Sequence, residues 1–295
     1  MSLMATLIAN PATAGLSPSL GIKASAALNA TGLYWLADGI ACDISLKDGI
    51  DAIEARAALA VALAGAPIDI VVQDQDSRRK KILIADMDST MIQQECIDDL
   101  AEEAGLRDKV AAITARAMNG EIAFEPALRE RVALLKGLPY SVIDKVIASR
   151  ITLMPGGPEL VRTMRKFGAY TALVSGGFTV FTQRIADMIG FHENSANILI
   201  DDGQTLTGMV REPILGRDAK VAALRSICER FNLSPKEAIA VGDGANDLGM
   251  LQLAGTGVAL HAKPVVAEQA SVRIDHGDLT SLLYVQGYRK TDFVV

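Results

Sequence analysis

The amino-acid sequence predicts an α/β fold: a doubly wound, Rossmann-like core with a helical cap inserted after its first motif, preceded by a ferredoxin-like α+β domain. Three observations support this prediction. Beyond residue 80, short apolar stretches that end in Asp, Ser or Gly alternate with amphipathic stretches, as parallel strands and their crossover helices do. Residues 92–150 have helical periodicity throughout, and residues 1–75 follow the β-α-β-β-α-β order of ferredoxin-like domains.

Residues 1–75 are rich in alanine and predict the six elements of the first domain. In chain order these are strand, helix, strand, strand, helix and strand: Ala5–Ala9, Ser17–Asn29, Gly32–Ala37, Ile40–Leu46, Gly49–Ala64 and Ile68–Gln73. This topology resembles that of ACT-type modules, which often bind amino acids or pair subunits. Because these residues contain no ligand-binding signature, a packing or homodimerisation module and an amino-acid sensor both stay open. The polar segment Asp74–Lys81 predicts a linker to the core.

Residues 92–150 predict a purely helical insert directly after the first strand of the core. Its four predicted helices are Glu95–Ala104, Asp108–Met118, Phe124–Leu135 and Ser141–Ile147. The breaks between them are indicated by Gly105, by Asn119-Gly120, and by Gly137 with Pro139. A helical insert at this place would stand over the site as a lid.

The core is predicted over residues 80–91 and 151–295, where strands and helices alternate. The predicted strands are Ile82–Ala85, Tyr170–Val174, Ala238–Val241, Gly257–Leu260 and Val272–Ile274, with a hairpin formed by Asn197–Asp201 and Thr205–Val210. The predicted helices are Pro158–Phe167, Thr179–Ile189, Arg217–Phe231 and Asp278–Val285. In open α/β sheets, ligands bind outside the carboxyl ends of the strands, so we expect the chemistry at that edge.

Composition restricts the class of partner. The 295 residues carry a formal net charge of −6 and contain no Lys/Arg-rich block, so the sequence predicts no binding to nucleic acid or to an anionic membrane. The three cysteines are too dispersed for a disulfide framework or a zinc site. The first positive charge is Lys23, and the most apolar stretch, Ala57–Val72, is short for a membrane span. We therefore expect a cytoplasmic protein with a small-molecule substrate.

Polar side chains cluster at the ends of three predicted strands. Asp86 and Asp88 follow the first strand, and alternation along an extended chain would turn both toward one site. Two carboxylates on one side repel each other unless a cation or a shared proton relieves them, and their oxygens suit Mg²⁺. The other candidates, at strand ends or helix starts, are Ser175, Gly176, Lys220, Asp243, Asn246 and Asp247.

These residue types together supply what the hydrolysis of a phosphate monoester needs. A carboxylate can attack phosphorus to give an acyl phosphate, and a second carboxyl can protonate the departing alcohol and later deprotonate water. A hydroxyl, a backbone N–H beside glycine and a lysine can hold the phosphoryl oxygens, while Mg²⁺ offsets the repulsion between two anions. Each short motif alone also suits a tight turn or a surface charge, and the spacing leaves open which of Asp86 and Asp88 attacks.

Four motifs in this order, Asp86–Thr90, Ser175–Gly177, Lys220 and Gly242–Asp247, resemble those of the haloacid dehalogenase (HAD) superfamily of phosphohydrolases. The resemblance covers residues 80–285. It implies that Asp86 is the nucleophile and Asp88 the general acid/base. Mg²⁺ would be bound by Asp86, Asp243 and the backbone carbonyl of Asp88, with Asp247 in support. The phosphoryl group would be bound by Ser175, Gly176, Lys220 and Asn246.

Two runs in the predicted cap, Gln94–Asp98 and Arg129–Lys136, are similar to runs of the phosphoserine phosphatases, one family of that superfamily. The resemblance implies that Glu95 binds the ammonium group and Arg131 the carboxylate of phosphoserine. Met118 and Phe124 would form an apolar wall that excludes water. From periodicity alone, the same residues would be a helix cap, an exposed arginine and core packing.

The expected function is the hydrolysis of O-phospho-L-serine to L-serine and phosphate through a phosphoaspartate, as the last step of serine biosynthesis, with Mg²⁺ as the cofactor. Two alternatives stay open. The same residues could act on another small phosphate monoester, or transfer its phosphoryl group to another alcohol. The chain could also be a serine-sensing regulator with a residual catalytic core, although the intact acidic motifs favour an enzyme.

Overall fold

The computed structural model describes residues 2–47, 49–118 and 121–295. Residues 3–74 form a four-stranded antiparallel sheet in the order β2-β3-β1-β4, covered by two helices. This order confirms the predicted ferredoxin-like arrangement. The elements are β1 (Leu3–Ala9), α1 (Pro18–Ala27), β2 (Gly32–Ala37), β3 (Ala41–Ser45), α2 (Ala52–Leu63) and β4 (Ile68–Asp74).

The two helices of this domain begin where their sequence provides a cap. The Ser17 side chain accepts a hydrogen bond from the Leu20 N–H, and Asp51 accepts two from the N–H groups of Ile53 and Glu54. These bonds satisfy donors that the first turn of a helix leaves unpaired. The inner faces of both helices pack on one face of the sheet in an apolar cluster that includes Leu7, Ile44 and Leu59.

The core is a six-stranded parallel sheet in the order β12-β11-β10-β5-β6-β7. Its strands are β5 (Ile82–Ala85), β6 (Tyr170–Phe178), β7 (Glu193–Asn197), β10 (Ala238–Gly242), β11 (Thr256–Leu260) and β12 (Val272–Ile274). The helices around it are α7 (Gly157–Lys166), α8 (Thr179–Ile189), α9 (Arg217–Phe231), α10 (Leu248–Leu253), α11 (Pro264–Ala267) and α12 (Ser281–Val285).

Both faces of this parallel sheet are buried, as the doubly wound prediction requires. The four residues of β5 are fully buried and divide between two apolar clusters. Leu83 and Ala85 pack on one side, while Ile82 and Ile84 pack on the other. An apolar strand without alternation is therefore explained by helices on both faces.

The cap consists of four helices between β5 and α7: α3 (Cys96–Glu103), α4 (Arg107–Met118), α5 (Phe124–Leu134) and α6 (Ser141–Ser149). The predicted break at Asn119-Gly120 lies outside the described residues. Helix α5 rests on an antiparallel hairpin of the core, β8 (Leu199–Asp201) and β9 (Leu206–Val210). At the positive-φ Gly208 of β9, a Cβ atom would lie 2.9 Å from the Cβ of Lys136, so glycine permits this close approach.

The core differs from the sequence prediction in its short helices α10 and α11, which the sequence does not predict, and in two strands and the hairpin. Strand β6 continues to Phe178 instead of ending at Val174, since Ser175–Gly177 form an irregular bulge within it. The edge strand β7 was not predicted, because its polar sequence lacks the apolar run of a central strand. Asn197 therefore ends β7, and the hairpin begins only at Leu199.

The second face of the N-terminal sheet packs on the core. Ile8 and Val71 belong to the same apolar cluster as Leu282 and Tyr284 of the C-terminal region. The buried Asp69 carboxylate on β4 accepts hydrogen bonds from three consecutive backbone N–H groups, those of residues 275–277. Both faces of the sheet are thus occupied within one chain.

The predicted linker is held in place by both domains. The Arg78 guanidinium bonds Asp43 of β3 at 2.8 Å, and the Lys80 ammonium donates to the backbone carbonyl of Lys236 in the core at 2.9 Å. None of the helices in the described ranges combines the length and the apolar character needed to cross a membrane.

Candidate active site

Asp86 and Asp88 line one cavity at the carboxyl end of the parallel sheet. Strand β5 ends at Ala85, and the Asp86 N–H still donates to the Val241 carbonyl of β10 at 3.0 Å. The chain then turns, with Ser89 in the left-handed region, and the N–H groups of Met91 and Ile92 both donate to the Met87 carbonyl. The two carboxylates thus lie where β5 ends and this turn begins, and both face the one cavity.

A buried lysine joins two of the predicted acidic residues. The Lys220 ammonium, in the first turn of α9, lies 2.6 Å from an Asp86 oxygen and 2.5 Å from an Asp247 oxygen. Burial opposes the charge on Lys220, but the two carboxylates outweigh it and raise the pKa of the ammonium group. Burial, followed by the repulsion of Asp247, raises the pKa of Asp86, and Lys220 counteracts that rise. Lys220 thus holds Asp86 in a fixed position.

Three carboxylates converge where a cation would sit. Asp86, Asp243 and Asp247 each offer an oxygen within 4.8 Å of the others. The second oxygen of Asp247 accepts a hydrogen bond from the Gly244 N–H, and Thr90 donates its hydroxyl to Asp243 at 3.2 Å. Burial, then the charge of Asp247, raises the pKa of Asp243 to about 6. Hard oxygen donors that repel one another fit Mg²⁺. The Asp88 carboxylate is not in this trio.

The surroundings of Asp88 favour the protonated form of its carboxyl group. Burial, then the nearby charge of Glu95, raises the pKa of Asp88 to about 7. One of its oxygens accepts a hydrogen bond of 3.1 Å from the Cys96 N–H at the start of α3, which orients the carboxyl group. A Cβ atom on Gly177 would lie 2.9 Å from the other oxygen, so a larger residue at position 177 would displace that oxygen.

The bulge in β6 and the loop after β10 form opposite walls of the cavity. Ser175 is buried, and its hydroxyl accepts a hydrogen bond of 2.9 Å from the Gly177 N–H. Gly176 and Asn246 line the cavity from the two sides. These two walls leave a space beside Asp86 for a phosphoryl group.

The cap forms part of the wall of the cavity, whose volume is about 580 Å³. Glu95, Phe124 and Arg131 line it from above, and Phe124 keeps 37% of its surface exposed. Glu95 is the residue before α3, but its carboxylate makes no cap bond and instead accepts the Ser89 hydroxyl at 2.8 Å. Arg131 is half-buried and is oriented by the Ala127 carbonyl at 3.3 Å. The Met118 side chain lies outside the described part of the chain.

The structure adds residues to the cavity that the sequence analysis left without a role. Among them are Thr114, Gly177, Arg217 and Lys263, while the buried Thr90 bonds the cavity residue Asp243. Thr90 and Gly177 lie inside recognised motifs, so their spacing could have indicated them. Thr114, in mid-helix, and Arg217, at a helix start, carry no local signal and are brought to the cavity only by tertiary packing.

A family model for haloacid dehalogenase-like hydrolases matches residues 83–252, which is more than half of the chain. The matched segment includes the four motifs and the whole cap. A phosphoserine phosphatase of Polaromonas sp. is 44% identical over 224 residues, a stretch that covers 74% of this chain and 95% of that protein.

Solved structures show the same likeness. A probable phosphoserine phosphatase from Vibrio cholerae, in an unliganded form, has a TM-score of 0.79 at 30% identity and matches 99% of this chain and 88% of that one. A phospho-aspartyl intermediate analogue of a phosphoserine phosphatase has a TM-score of 0.64 at 40% identity, over 70% of this chain and 98% of that one. The first comparison therefore extends over the N-terminal domain as well as the core.

Proposed function

The chain belongs to the phosphoserine phosphatases of the haloacid dehalogenase-like hydrolases, and we propose how its own residues hydrolyse O-phospho-L-serine. One observation carries the proposal. A single cavity brings Asp86 and Asp88 of the core together with Glu95 and Arg131 of the cap. The first pair suits phosphoryl transfer, and the second pair suits an amino acid that carries both an ammonium group and a carboxylate.

Asp86 is the nucleophile in the first half of the reaction. One of its oxygens attacks phosphorus, the bond from phosphorus to the serine oxygen breaks, and Asp88 gives its proton to that oxygen. Lys220 fixes Asp86 through its contact of 2.6 Å. A carboxyl with a pKa of about 7 is well suited to donate, because much of it is still protonated near neutral pH.

Asp88 acts as the base in the second half. Once ionised, it accepts a proton from water while the water oxygen forms a bond to phosphorus and the bond from phosphorus to Asp86 breaks. Phosphate leaves, Asp86 is restored, and Asp88 has regained its proton. Ser175, Gly176 and Asn246 hold the phosphoryl oxygens through both halves from the two walls of the cavity.

Asp86 and Asp243, with the backbone carbonyl of Asp88, would hold Mg²⁺, supported by Asp247. When bound, the ion supplies positive charge between the anionic nucleophile and the anionic phosphate. The three convergent carboxylates support this assignment, because Lys220 contacts only Asp86 and Asp247 and its one positive charge does not balance all three.

The cap residues select the substrate. Glu95 would bind the ammonium group of serine, and the Arg131 guanidinium would bind its carboxylate through two parallel hydrogen bonds. Phe124 would cover the site and keep water from the phosphoaspartate until serine has left. Phosphate esters that lack the amino-acid group would gain nothing from Glu95 or Arg131.

The remaining parts of the proposal concern the cellular setting. Cys42, Cys96 and Cys228 are buried and unpaired, which suits the reducing cytoplasm. Serine biosynthesis would be the corresponding pathway. A homodimer through the N-terminal domain would have to use its helices or the free edge of β2, because the second face of the sheet packs on the core.

The test is phosphate release from O-phospho-L-serine with and without Mg²⁺, alongside glucose 6-phosphate and 4-nitrophenyl phosphate. We expect Mg²⁺-dependent turnover with a strong preference for phosphoserine, and no turnover by Asp86→Asn. Undiminished activity of Asp86→Asn would contradict the mechanism, while equal turnover of all three esters would contradict the substrate.

A further inference from the structure

Asn197 is a buried amide behind the wall of the catalytic cavity. It is the last residue of the edge strand β7, and only 2% of its surface is exposed. A buried side-chain amide is costly unless its polar atoms are hydrogen-bonded. The partners of Asn197 therefore indicate what it does for the fold.

All the hydrogen-bond partners of the Asn197 side chain are backbone groups, and they belong to two separate segments. Its amide nitrogen donates to the Gly176 carbonyl at 2.8 Å and to the Leu215 carbonyl at 3.2 Å. Its amide oxygen accepts a hydrogen bond of 2.7 Å from the Leu215 N–H. One side chain thus ties the phosphate-binding bulge of β6 to the residues just before α9, the helix that carries Lys220.

Each of these two segments presents a glycine to the same cap residue. A Cβ atom on Gly176 would lie 3.4 Å from the Phe124 ring, and one on Gly216 would also lie 3.4 Å from it. The ring of Phe124 therefore sits in a slot whose two sides are joined by Asn197. Phe124 begins α5, and Leu128 and Arg131 follow it at helical spacing on the same cavity-lining face.

We propose that Asn197 is a positioning residue that builds this slot, which consists of Gly176 and Gly216, and thereby sets how α5 presents Phe124 and Arg131 to the substrate. The inference rests on the proposed function, since it concerns the recognition of phosphoserine by the cap. Asn197 acts through Phe124 and Gly176 and does not touch the substrate itself.

A neighbour on the same strand provides the matched control. Asn194 is also an asparagine of β7, but its amide bonds Thr182 and Gln183 of α8 and no residue of the slot. Removing Asn194 would disturb the packing of β7 without loosening the slot. A general effect of disturbing the edge strand would appear on substitution of either asparagine. An effect on the slot would appear only on substitution of Asn197.

The experiment compares Asn197→Ala and Asn194→Ala in the full chain, with O-phospho-L-serine and 4-nitrophenyl phosphate as substrates and with thermal unfolding recorded. We expect Asn197→Ala to lower kcat/KM for phosphoserine on the order of 10-fold or more, because the two segments that form the slot lose the hydrogen bonds that join them. The loss for 4-nitrophenyl phosphate should be smaller, since that ester does not use Arg131. Asn194→Ala should change neither value by more than about 2-fold.

A double-mutant cycle with Phe124→Ala tests the route of the effect. If Asn197 acts through the slot, Asn197→Ala should cost clearly less in the Phe124→Ala background than in the wild type. Three outcomes would overturn the inference. The losses in kcat/KM of the two substitutions could be additive, the loss could be equal for both substrates, or Asn197→Ala could lower the unfolding temperature with unchanged kinetics. If the wild-type enzyme does not hydrolyse phosphoserine, that result would instead contradict the proposed function.

A second variant keeps the test decisive if Asn197→Ala does not fold. Gly216→Val leaves all the bonds of Asn197 in place but fills the slot from the other side, next to the Phe124 ring. Gly216 has a φ of −101°, which valine can adopt. We expect the same selective loss for phosphoserine, and unchanged discrimination between the two substrates would reject the slot.

Discussion

At the scale of single residues, the protonation of Asp88 should control the first half of the reaction. Its raised pKa of about 7 keeps the carboxyl partly protonated at neutral pH. We therefore expect serine release in the first turnover to slow about tenfold per pH unit above that pKa, because the acid form disappears. Hydrolysis of the phosphoaspartate should slow below it, because that step needs the ionised form.

Rapid-quench measurements of serine and phosphate, made below and above pH 7, would separate the pH dependence of serine release from that of phosphoaspartate hydrolysis. Asp88→Asn can neither donate nor accept the proton, so its residual rates should no longer follow this profile. A first turnover that is independent of pH in the wild type would exclude Asp88 as the acid.

Two arginines on α5 make a matched pair for substrate recognition. Arg131 lines the cavity, whereas Arg129 points away from it and pairs with Glu212 at 2.7 Å. We expect Arg131→Ala to raise KM for phosphoserine on the order of 100-fold, because a carboxylate would lose its charged partner. Arg129→Ala should change KM by less than about 3-fold, since exposed ion pairs contribute little. Similar effects of the two substitutions would remove Arg131 from its assigned role.

At the scale of secondary-structure elements, the bulge in β6 sets the position of Asp88, for which we propose the role of general acid. The missing Cβ of Gly177 leaves room for an Asp88 oxygen and the Ser175 hydroxyl, which would lie 2.9 Å and 3.1 Å from it. We expect Gly177→Ala to fold normally and to lower kcat roughly 100-fold, because Asp88 would be displaced. The control is Gly15→Ala, where nothing lies within 4 Å of the added atom. A fully active Gly177→Ala enzyme would show that the displacement is harmless.

The same bulge shows how far sequence reasoning reaches. The apolar run of β5 and the motifs at the carboxyl ends of β5, β6 and β10 could be predicted, because burial on two faces leaves a clear apolar signal. Strand β7 could not, because its side chains are polar and its pairing with β6 comes from tertiary contacts. The sequence therefore predicts Asn197 as the start of a hairpin. Its contacts with Gly176 and Leu215 cannot be predicted from local periodicity.

At the scale of the whole molecule, the N-terminal domain is joined to the core through a buried carboxylate. Asp69 accepts three backbone N–H groups from the loop after β12, and burial raises the pKa of Asp69 despite these bonds. Substituting alanine would leave three N–H groups, one buried and two partly buried, without this partner. Each such group costs about 1–3 kcal/mol. The joint between the domains should therefore depend strongly on this residue.

The fluorescence of Trp35 can follow the unfolding of the N-terminal domain separately, since Trp35 is the one tryptophan of the chain and lies in β2 of that domain. In the wild type we expect Trp35 fluorescence and catalytic activity to be lost at the same urea concentration, because the two units share an apolar cluster. Asp69→Ala should separate the transitions, with the fluorescence change moving to lower urea.

Asp51→Ala distinguishes uncoupling from simple destabilisation. Asp51 also accepts backbone N–H groups, but those of Ile53 and Glu54 within its own domain, so its loss weakens α2 by about 1 kcal/mol and leaves the joint intact. Both transitions should then stay together in Asp51→Ala. If Asp69→Ala also unfolds in one coincident transition, the remaining contacts, including the apolar ones of Ile8 and Val71, suffice to join the domains. The carboxylate then only adds to the stability of a single cooperative unit.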